Sequence, residues 1–506
     1  MYDRMHSASV RCMTQPSAAT AIPLAPHHRR IFLVTALGAF MASLDLSIVN
    51  VAFPALERAF SSEPRESLAW VITGYSIVFG SLLVIAGRTA DRLGSRRVFF
   101  VGLAIFSVGS ATCAIAPAVP VLIAGRVVQG IGAAALLPAS LGLLLGAYPA
   151  ERRSQVVALW GGIGALAVAT GPSIGAALIT AFSWRAAFYV NLPVAVAAWL
   201  IGRRVLEESK RNSATSAPDY PGVVLLGLSL AALVLAITEG ASWGWSSPRV
   251  IASFAASAAL GGWFVVRSRR HDEPVLDLAL FKVRAFSVAN IATLFYAMGF
   301  FAMLLGNILF LTSVWHYSIL TAGLAVTPGP LVVAAVSGPA GRLAGRVGFR
   351  PVLLCGFAVF GAGIAWYLAR VGLQREYLSA WLPGTLIVGL GIGLTFPVLS
   401  AAAVSRLRPE RFAVGSSVNQ TARQVGGSIG VAMLVVLLGT PATAIGALDS
   451  FRRLWLFIVA MALVAGVTCI ALPPLRRGAV PPVAGDDRSA ARGIEEMLDG
   501  EVRVRD

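Results

Sequence analysis

The chain has 506 residues, of which 57% are hydrophobic and only 13% are charged, and its mean hydropathy is +0.76. Soluble globular proteins carry about 25% charged residues, so this composition excludes a soluble protein and indicates one that crosses a membrane several times. The formal net charge of +17 would suggest nucleic-acid binding in a soluble chain. Here the arginines lie in short loops between apolar runs, so we attribute the charge to membrane topology and the lipid bilayer and expect no nucleic-acid partner.

Long apolar runs predict an all-α polytopic membrane protein with fourteen transmembrane helices, since about 20 apolar residues cross the hydrocarbon core. The polar segments 1–28 and 473–506 are expected to be tails, the first of them disordered. The helices are predicted near residues 31–55, 68–87, 98–116, 119–147, 156–180, 185–203, 220–238, 249–267, 286–313, 321–341, 350–369, 378–404, 414–438 and 453–472.

Basic residues concentrate in every second loop, as in Arg152-Arg153 and Arg203-Arg204, and are sparse in the others. Loops rich in arginine and lysine stay in the cytoplasm, so we expect these loops and both tails to be cytoplasmic. The first apolar run, from Ile31, is too long for the core of a signal peptide and should remain as a helix. The expected location is therefore the cytoplasmic membrane.

One loop pattern occurs twice, at residues 87–97 and 341–351, with a constant offset of 254. Both copies are basic, lie between two apolar runs and contain two glycines seven residues apart. This predicts a duplicated bundle with a six plus two plus six plan: an N-terminal bundle at 29–204, two inserted helices with linkers at 205–285 and a C-terminal bundle at 286–472. The matching positions are Gly87, Arg88, Arg92, Gly94 and Arg96 with Gly341, Arg342, Arg346, Gly348 and Arg350.

Two charged residues lie inside the first and fourth apolar runs, where an ionisable group costs at least ~2.5 kcal/mol and needs a partner or a function. Asp45 lies about fourteen residues, or ~21 Å, into the first helix, and a carboxyl group there is a candidate to bind and release protons. The alternative is a packing contact with a neighbouring hydroxyl or arginine. Arg126, with Gln129 on nearly the same face, is expected to act on Asp45 or another acid, or else to be purely structural.

A third charge, Arg423, shares a helical face with Asn419 at a spacing of four residues. That face either lines a cavity or fixes two helices together, and Asn50 and Gln129 are further candidates for polar cavity residues. In the fifth helix, glycines and a proline predict a bend, because they are tolerated where neighbouring helices approach closely. The residues of the predicted bend are Gly162, Gly171, Pro172 and Gly175.

These motifs resemble the major facilitator superfamily, and within it the fourteen-helix drug:proton antiporters. The resemblance implies that residues 87–97 form a cytoplasmic gate in which Asp91 and the arginines act as a latch, although Thr89 departs from the usual leucine. It associates the position of Asp45 with proton coupling and that of Arg126 with protons as well. The gate residues are Gly87, Arg88, Asp91, Arg92, Gly94, Arg96 and Arg97.

The fifth helix is similar, over residues 162–176, to the antiporter motif of that family, which favours export, although Ala167 and Ala176 stand where glycine is commoner. Residues 419–430 are similar to the family's pattern in helix thirteen. The resemblance covers most of the chain between about 31 and 472 and implies the fold and proton-driven export, but no particular substrate.

We therefore expect a monomeric, proton-coupled exporter of hydrophobic or amphipathic small molecules, in which two bundles expose a central cavity to alternate sides. It needs the proton gradient and no bound cofactor. The alternatives are an exporter of an endogenous lipid or secondary metabolite, and a membrane sensor or scaffold without transport. An enzyme is not expected, because no nucleophile with a base, paired carboxylates or phosphate-binding loop is evident. The four cysteines have neither metal-ligand nor paired spacing, so no metal site is expected.

Overall fold

The computed structural model describes residues 26–208, 219–271, 274–407, 411–439, 441 and 443–473, and the regular secondary structure within them is helical. A four-residue helix, Gly240–Trp243, and a 3₁₀ turn, Leu278–Lys282, accompany the long helices. The long helices are α1 (Pro26–Ala59), α2 (Arg65–Leu93), α3 (Ser95–Ile115), α4 (Val119–Ala147), α5 (Ala150–Ala181), α6 (Ala186–Val205), α7 (Tyr220–Thr238), α8 (Pro248–Arg270), α9 (Arg284–Ser313), α10 (Ile319–Val347), α11 (Phe349–Arg370), α12 (Tyr377–Val404), α13 (Phe412–Leu438) and α14 (Ala444–Ile470).

Within the described residues, 13 helices are long and apolar enough to cross a membrane. The predicted fifth span lies in α5, which is 32 residues long, or about 48 Å. Most helix limits agree with the sequence to within a few residues, but two differ in an instructive way. The helix α1 begins at Pro26, inside the stretch assigned to the N-terminal tail, and α14 begins at Ala444 rather than 453. The remainders of both tails lie outside the described residues.

The repeated loop forms the same turn twice. Gly94 separates α2 from α3 with a φ of +99°, and Gly348 separates α10 from α11 with a φ of +102°. The amide of Gly94 donates to the carbonyl of Ala90, and that of Gly348 donates to the carbonyl of Ala344, each at a spacing of four residues. Residues with a side chain rarely adopt such a φ, which explains a glycine at both positions.

The first helix of each half contacts the fourth, fifth and sixth helices of that half. In the first half α1 packs on α4, α5 and α6, and in the second half α9 packs on α12, α13 and α14. The halves meet where α2 packs on α13 and α5 on α10, two pairs that a pseudo-twofold axis exchanges. The inserted helix α7 packs on both α2 and α13, whereas α8 packs mainly on α7. Only 11% of the apolar stretch of α8 is buried, so α8 lies at the periphery.

Contacts between the halves close one end of the molecule. The hydroxyl groups of Ser173 on α5 and Thr327 on α10 are 2.5 Å apart, and Arg65 Nη1 lies 3.4 Å from the carbonyl oxygen of Gly439. These contacts lie toward the loop that joins α1 to α2. Toward the other end of α10, a Cβ atom added to Gly338 or Gly345 would meet no atom within 4 Å. The halves thus close the space between them at the first end, and toward the second end Val84 of α2 belongs to one apolar cluster with Phe286, Leu407 and Val418 of the second half.

Candidate functional site

Asp45 on α1 is fully buried and contacts two residues of α4. Its Oδ2 accepts a hydrogen bond from Arg126 Nη1 at 2.5 Å, and its Oδ1 accepts one from Gln129 Nε2 at 2.8 Å. Arg126 and Gln129 lie three residues apart on one face of α4, so both reach the same carboxylate. The structure thus brings together the acid and the arginine that the sequence placed on separate helices.

Three further contacts fix the guanidinium of Arg126. Its Nε donates to the carbonyl oxygen of Val71 on α2 at 2.8 Å, and Nη1 also donates to Gln129 Oε1 at 2.6 Å. Its Cζ lies 4.1 Å from the centroid of the Tyr75 ring, within the range of a cation–π interaction. Only 2% of the Arg126 side chain is exposed, beside an Asp45 side chain with none, so the two charges form a neutral pair inside the first half.

Two polar residues complete this arrangement, and we did not assign them to the site from the sequence. Ser110 on α3 accepts hydrogen bonds from Gln129 Nε2 at 2.7 Å and from Asn191 Nδ2 at 3.0 Å. Asn191 on α6 also lies 3.4 Å from Asp45 Oδ1. We call the five side chains the buried polar cluster. It joins α1, α3, α4 and α6, and its members are Asp45, Ser110, Arg126, Gln129 and Asn191.

A cavity of about 310 Å³ lies between the two halves, with walls formed by α1, α5, α9, α10, α11, α12 and α13. Two of the predicted polar residues, Asn50 and Arg423, line it. Gln129 does not line it, because it belongs to the buried polar cluster. Asn419 does not line it either: its Nδ2 donates to Thr293 at 2.9 Å and its Oδ1 accepts from Ser400 at 3.2 Å, which fixes α13 to α9 and α12.

Arg423 faces this cavity from α13. Its Cζ lies 4.1 Å from the ring centroid of Phe396, and Nη1 lies 3.4 Å from Gln420 Oε1. Two other wall residues, Asn307 and Gln424, are buried amides that sequence reasoning missed. Their neutral side chains are common in helices, so only the assembled wall distinguishes them from packing residues.

Helix α1 links the buried polar cluster to the cavity, because Leu46 and Ser47, the residues that follow Asp45, line the cavity wall. Ser47 Oγ donates to the carbonyl oxygen of Val168 on α5 at 3.1 Å. Pro172, four residues further along α5, has no amide hydrogen to offer that carbonyl. The serine therefore replaces the hydrogen bond that the proline removes.

The predicted bend lies on a helix that continues from Ala150 to Ala181, with Gly162 in its first half. Gly171 and Gly175 face α1 so closely that added Cβ atoms would lie 2.6 Å from Ser47 Cβ and 2.5 Å from Ile48 Cγ1. The glycines thus allow α5 to approach α1 at the cavity wall, and a change of bend during function stays a prediction.

The predicted gate is held by a residue that the sequence did not reveal. Glu208, beyond the end of α6, accepts a hydrogen bond from the backbone amide of Arg96 at 3.1 Å and lies 3.7 Å from Arg97 Nε. Asp91 and Arg92 are exposed, and within the described residues Asp91 makes no ion pair. Gly87 lies beside Pro138 of α4, and Arg88 lies on α2. The structure therefore shows Asp91 without an ion pair among the described residues, and its role in a latch stays a prediction.

A duplicated bundle of membrane-length helices around a central cavity closed at one end defines a secondary membrane transporter. The chain belongs to the Major Facilitator Superfamily, whose family model matches residues 35–431 and 289–498. It is 33% identical over 405 residues to the multidrug resistance protein Stp of Mycobacterium tuberculosis (strain CDC 1551 / Oshkosh), covering 79% of this chain and 74% of that protein. It is 30% identical over 410 residues to the methylenomycin A resistance protein of Streptomyces coelicolor (strain ATCC BAA-471 / A3(2) / M145), covering 80% and 85%.

Among solved structures, the fold resembles a D-xylose–proton symporter with a TM-score of 0.64 and 14% sequence identity, over 88% of this chain and 98% of that one. At that identity the likeness shows the fold alone. The family membership confirms three expectations from the sequence: the all-α major facilitator fold, the multi-pass membrane location and a transporter rather than an enzyme.

Proposed function

We propose that this protein is a proton-coupled exporter of hydrophobic or amphipathic small molecules. The resistance proteins to which it is similar support substrates of drug type. The cavity supports them as well, because its walls are mostly apolar and carry a few polar groups, which is the usual composition of a small-molecule site. Its volume of about 310 Å³ is at the lower end of the usual range for such sites.

The observation that carries the proposal is the Asp45–Arg126 pair, buried one residue away from the cavity wall on α1. With Asp45 ionised, the pair is neutral and holds α1 against α4. A proton on Asp45 leaves the charge of Arg126 without compensation in an apolar interior, which is strongly unfavourable. Arg126 then forms hydrogen bonds with other groups, and α1 moves relative to α4. Protonation of Asp45 and the shape of the cavity are thereby coupled.

In the membrane, the closed end near the α1–α2 loop faces outward, and the gate loops and both termini face the cytoplasm. Substrate enters from the cytoplasmic side, the halves rock about the cavity, and a latch at Asp91 closes when the outer end opens. A proton entering from outside drives the cycle in a monomer in the cytoplasmic membrane, without a bound cofactor.

The test replaces Asp45 with asparagine, which keeps the size and most hydrogen bonds of the side chain but cannot exchange a proton. Everted vesicles are given lipophilic cations and anionic antibiotics with the proton gradient intact or collapsed. We expect Asp45→Asn to lose gradient-dependent accumulation per amount of folded protein, which is measured from its elution profile in detergent. The matched control, Asp449→Asn, changes an exposed aspartate of α14 and should transport as the native chain does.

Gradient-dependent transport at the native rate in Asp45→Asn would reject this role for Asp45. Movement of an endogenous lipid or metabolite and of no compound in the panel would favour the exporter of endogenous compounds instead.

A further inference from the structure

The wall of the central cavity carries an unbalanced positive charge. Among the residues that line it in the described part of the chain, Arg423 alone is charged, and the others are apolar or neutral polar. Arginine stays protonated at any pH that a protein encounters. The cavity therefore presents a permanent cation to whatever enters it.

Arg423 differs from Arg126, the other arginine inside the bundles. Arg126 is paired with Asp45 at 2.5 Å. Within the described residues Arg423 has no ion pair, and its contacts are the ring of Phe396 and the oxygen of Gln420. A purely structural arginine in an apolar interior normally has an acidic partner, because an unpaired buried charge is costly. The partner of Arg423 is missing from this wall.

Buried amide groups of the same cavity wall also lack partners. The amide nitrogen and oxygen of Gln424 and the Oδ1 atoms of Asn50 and Asn307 make no hydrogen bond within the described residues. Almost all buried polar groups in proteins are hydrogen-bonded; these atoms are covered in this conformation, and we expect their side chains to turn toward a ligand that enters the cavity. They belong to α13, α1 and α9, and thus to both halves of the cavity wall.

We propose that the cavity selects amphipathic organic anions: an apolar, ring-containing body with one carboxylate or acidic phenol group. The anionic group pairs with Arg423 and accepts from Gln424 Nε2, while hydroxyl or amide hydrogens of the same molecule donate to Asn50 and Asn307. The apolar body lies against Phe300 and Phe396 of the same wall. This inference rests on the proposed function, in that it takes the cavity to be the transport site.

Selection of anions has an electrical consequence. Export of a monovalent anion in exchange for one incoming proton moves two positive charge equivalents inward, so an inside-negative membrane potential accelerates it. Exchange of a monovalent cation for one proton moves no net charge. Dependence of the transport rate on the potential therefore separates the two substrate classes.

The test uses three probes with the same ring system and different charges: pyrenebutyrate, its neutral methylamide and the cationic pyrenebutylamine. Binding to the purified full chain is measured by quenching of tryptophan emission and by the probe-dependent rise in Tm. We expect the half-saturating concentration of the anion to be at least about tenfold lower than that of the other two, because a hydrogen bond to a charged group typically contributes a factor of about 10 to 100.

The variants assign this preference to one residue. Arg423→Gln should remove the preference for the anion and leave binding of the neutral probe unchanged, whereas Arg423→Lys should keep most of it. Arg370→Gln, which removes an exposed arginine of α11, should leave all three affinities unchanged. Equal affinities for the three probes in the native chain would overturn the inference, as would a preference that survives Arg423→Gln.

If Arg423→Gln fails to fold, the three probes are compared on the native chain and on Arg423→Lys. Equal affinities for the three probes on the native chain would then overturn the inference. Transport of the same probes by vesicles distinguishes a failure of the anion site from a failure of the proposed function. Gradient-driven movement without preference for the anion rejects only the anion site. Preferential binding of the anion without gradient-driven movement of any probe rejects only proton-coupled export.

Discussion

Gly426 and Gly430 on α13 face α9, just as Gly171 and Gly175 on α5 face α1, so each half of the protein brings two helices together through glycines four residues apart. A Cβ atom added to Gly426 would lie 2.3 Å from the carbonyl oxygen of Leu294, and one at Gly430 would lie 2.1 Å from that of Met298. Backbone atoms cannot move aside as a flexible side chain can. Only glycine therefore fits at Gly426 and Gly430, because any Cβ atom would overlap the backbone of α9.

We predict that Gly430→Ala destabilises the protein by roughly 1–3 kcal/mol, the usual cost of overpacking a core. The matched control is Gly338→Ala on α10, where a Cβ would meet no atom within 4 Å. Alanine is favoured over glycine in helices by about 1 kcal/mol, so Gly338→Ala should be as stable as the native chain or more stable. The measurement is the Tm of the purified proteins in one detergent. A Gly430→Ala variant with the native Tm would contradict this packing.

Some site residues were predictable from the sequence because a charge inside an apolar run is conspicuous. Asp45, Arg126 and Arg423 were found in this way, and the contact between Asp45 and Arg126 was one of the expected alternatives. Ser110 and Asn191 were not assigned to the site, because neutral polar residues are frequent in helices and their role depends on which faces meet. The face shared by Asn419 and Arg423 was expected either to line a cavity or to fix two helices together, and the structure divides these roles between the two residues. Arg423 lines the cavity, whereas Asn419, about 6 Å away along α13, lies where α9 and α12 pack on that helix.

Among the helices and turns, the most informative element is the glycine turn that occurs twice, between α2 and α3 and between α10 and α11. Its two copies share a positive φ and the same hydrogen bond to the carbonyl four residues earlier. Their surroundings differ, because a Cβ at Gly94 would lie 2.2 Å from Glu208 Oε1, the oxygen that accepts from Arg96. The two copies thus share the turn, and the first copy is also held by Glu208.

We expect Gly348→Ala to lower the stability by roughly 1–3 kcal/mol, the cost of a backbone conformation that residues with a side chain sparsely populate. Gly94→Ala should cost more, because it also displaces Glu208 from the start of α3. The comparison is made by thermal unfolding, with Gly345→Ala, in the helix before the second turn and without atoms near its Cβ position, as the control. Equal stability of Gly94→Ala and Gly345→Ala would show that neither strain nor the contact with Glu208 matters.

Helix existence was well predicted, because apolar runs of membrane length have few other interpretations. The start of α14 was misplaced, because three charged residues, Asp449, Arg452 and Arg453, marked the segment as a loop. In the structure, Thr443 accepts a hydrogen bond from the amide of Gly446, and Asp449 pairs with Arg452 at 3.5 Å. A capped, charged first part of the helix thus extends beyond the apolar run.

For the whole molecule, the conformation shows one end closed by contacts between α5 and α10, which predicts that the halves must separate there during transport. No sequence pattern indicated which end is closed, because both closed and open forms satisfy the same apolar periodicity. The resemblance implied a latch at Asp91; within the described residues Asp91 makes no ion pair, and the latch stays a prediction.

We predict that a cross-link between residues 173 and 327 stops transport. In a cysteine-free background, Ser173→Cys and Thr327→Cys place two sulfur atoms where the hydroxyl oxygens are now 2.5 Å apart, so oxidation should join them as a disulfide. Transport should fall to background on oxidation and recover on reduction, while each single variant remains active under both conditions. Full transport by the cross-linked protein would mean that this end does not open.

The most direct test of the account is proton movement driven by substrate alone. Proteoliposomes containing native protein and a trapped pH indicator receive a gradient of a compound that the vesicle panel identified, with no pH gradient imposed. Substrate entering the lumen should expel protons, so that the lumen becomes alkaline with native protein and with Asp449→Asn but not with Asp45→Asn or protein-free liposomes. Substrate uptake by native protein without any change in lumenal pH would contradict proton-coupled exchange.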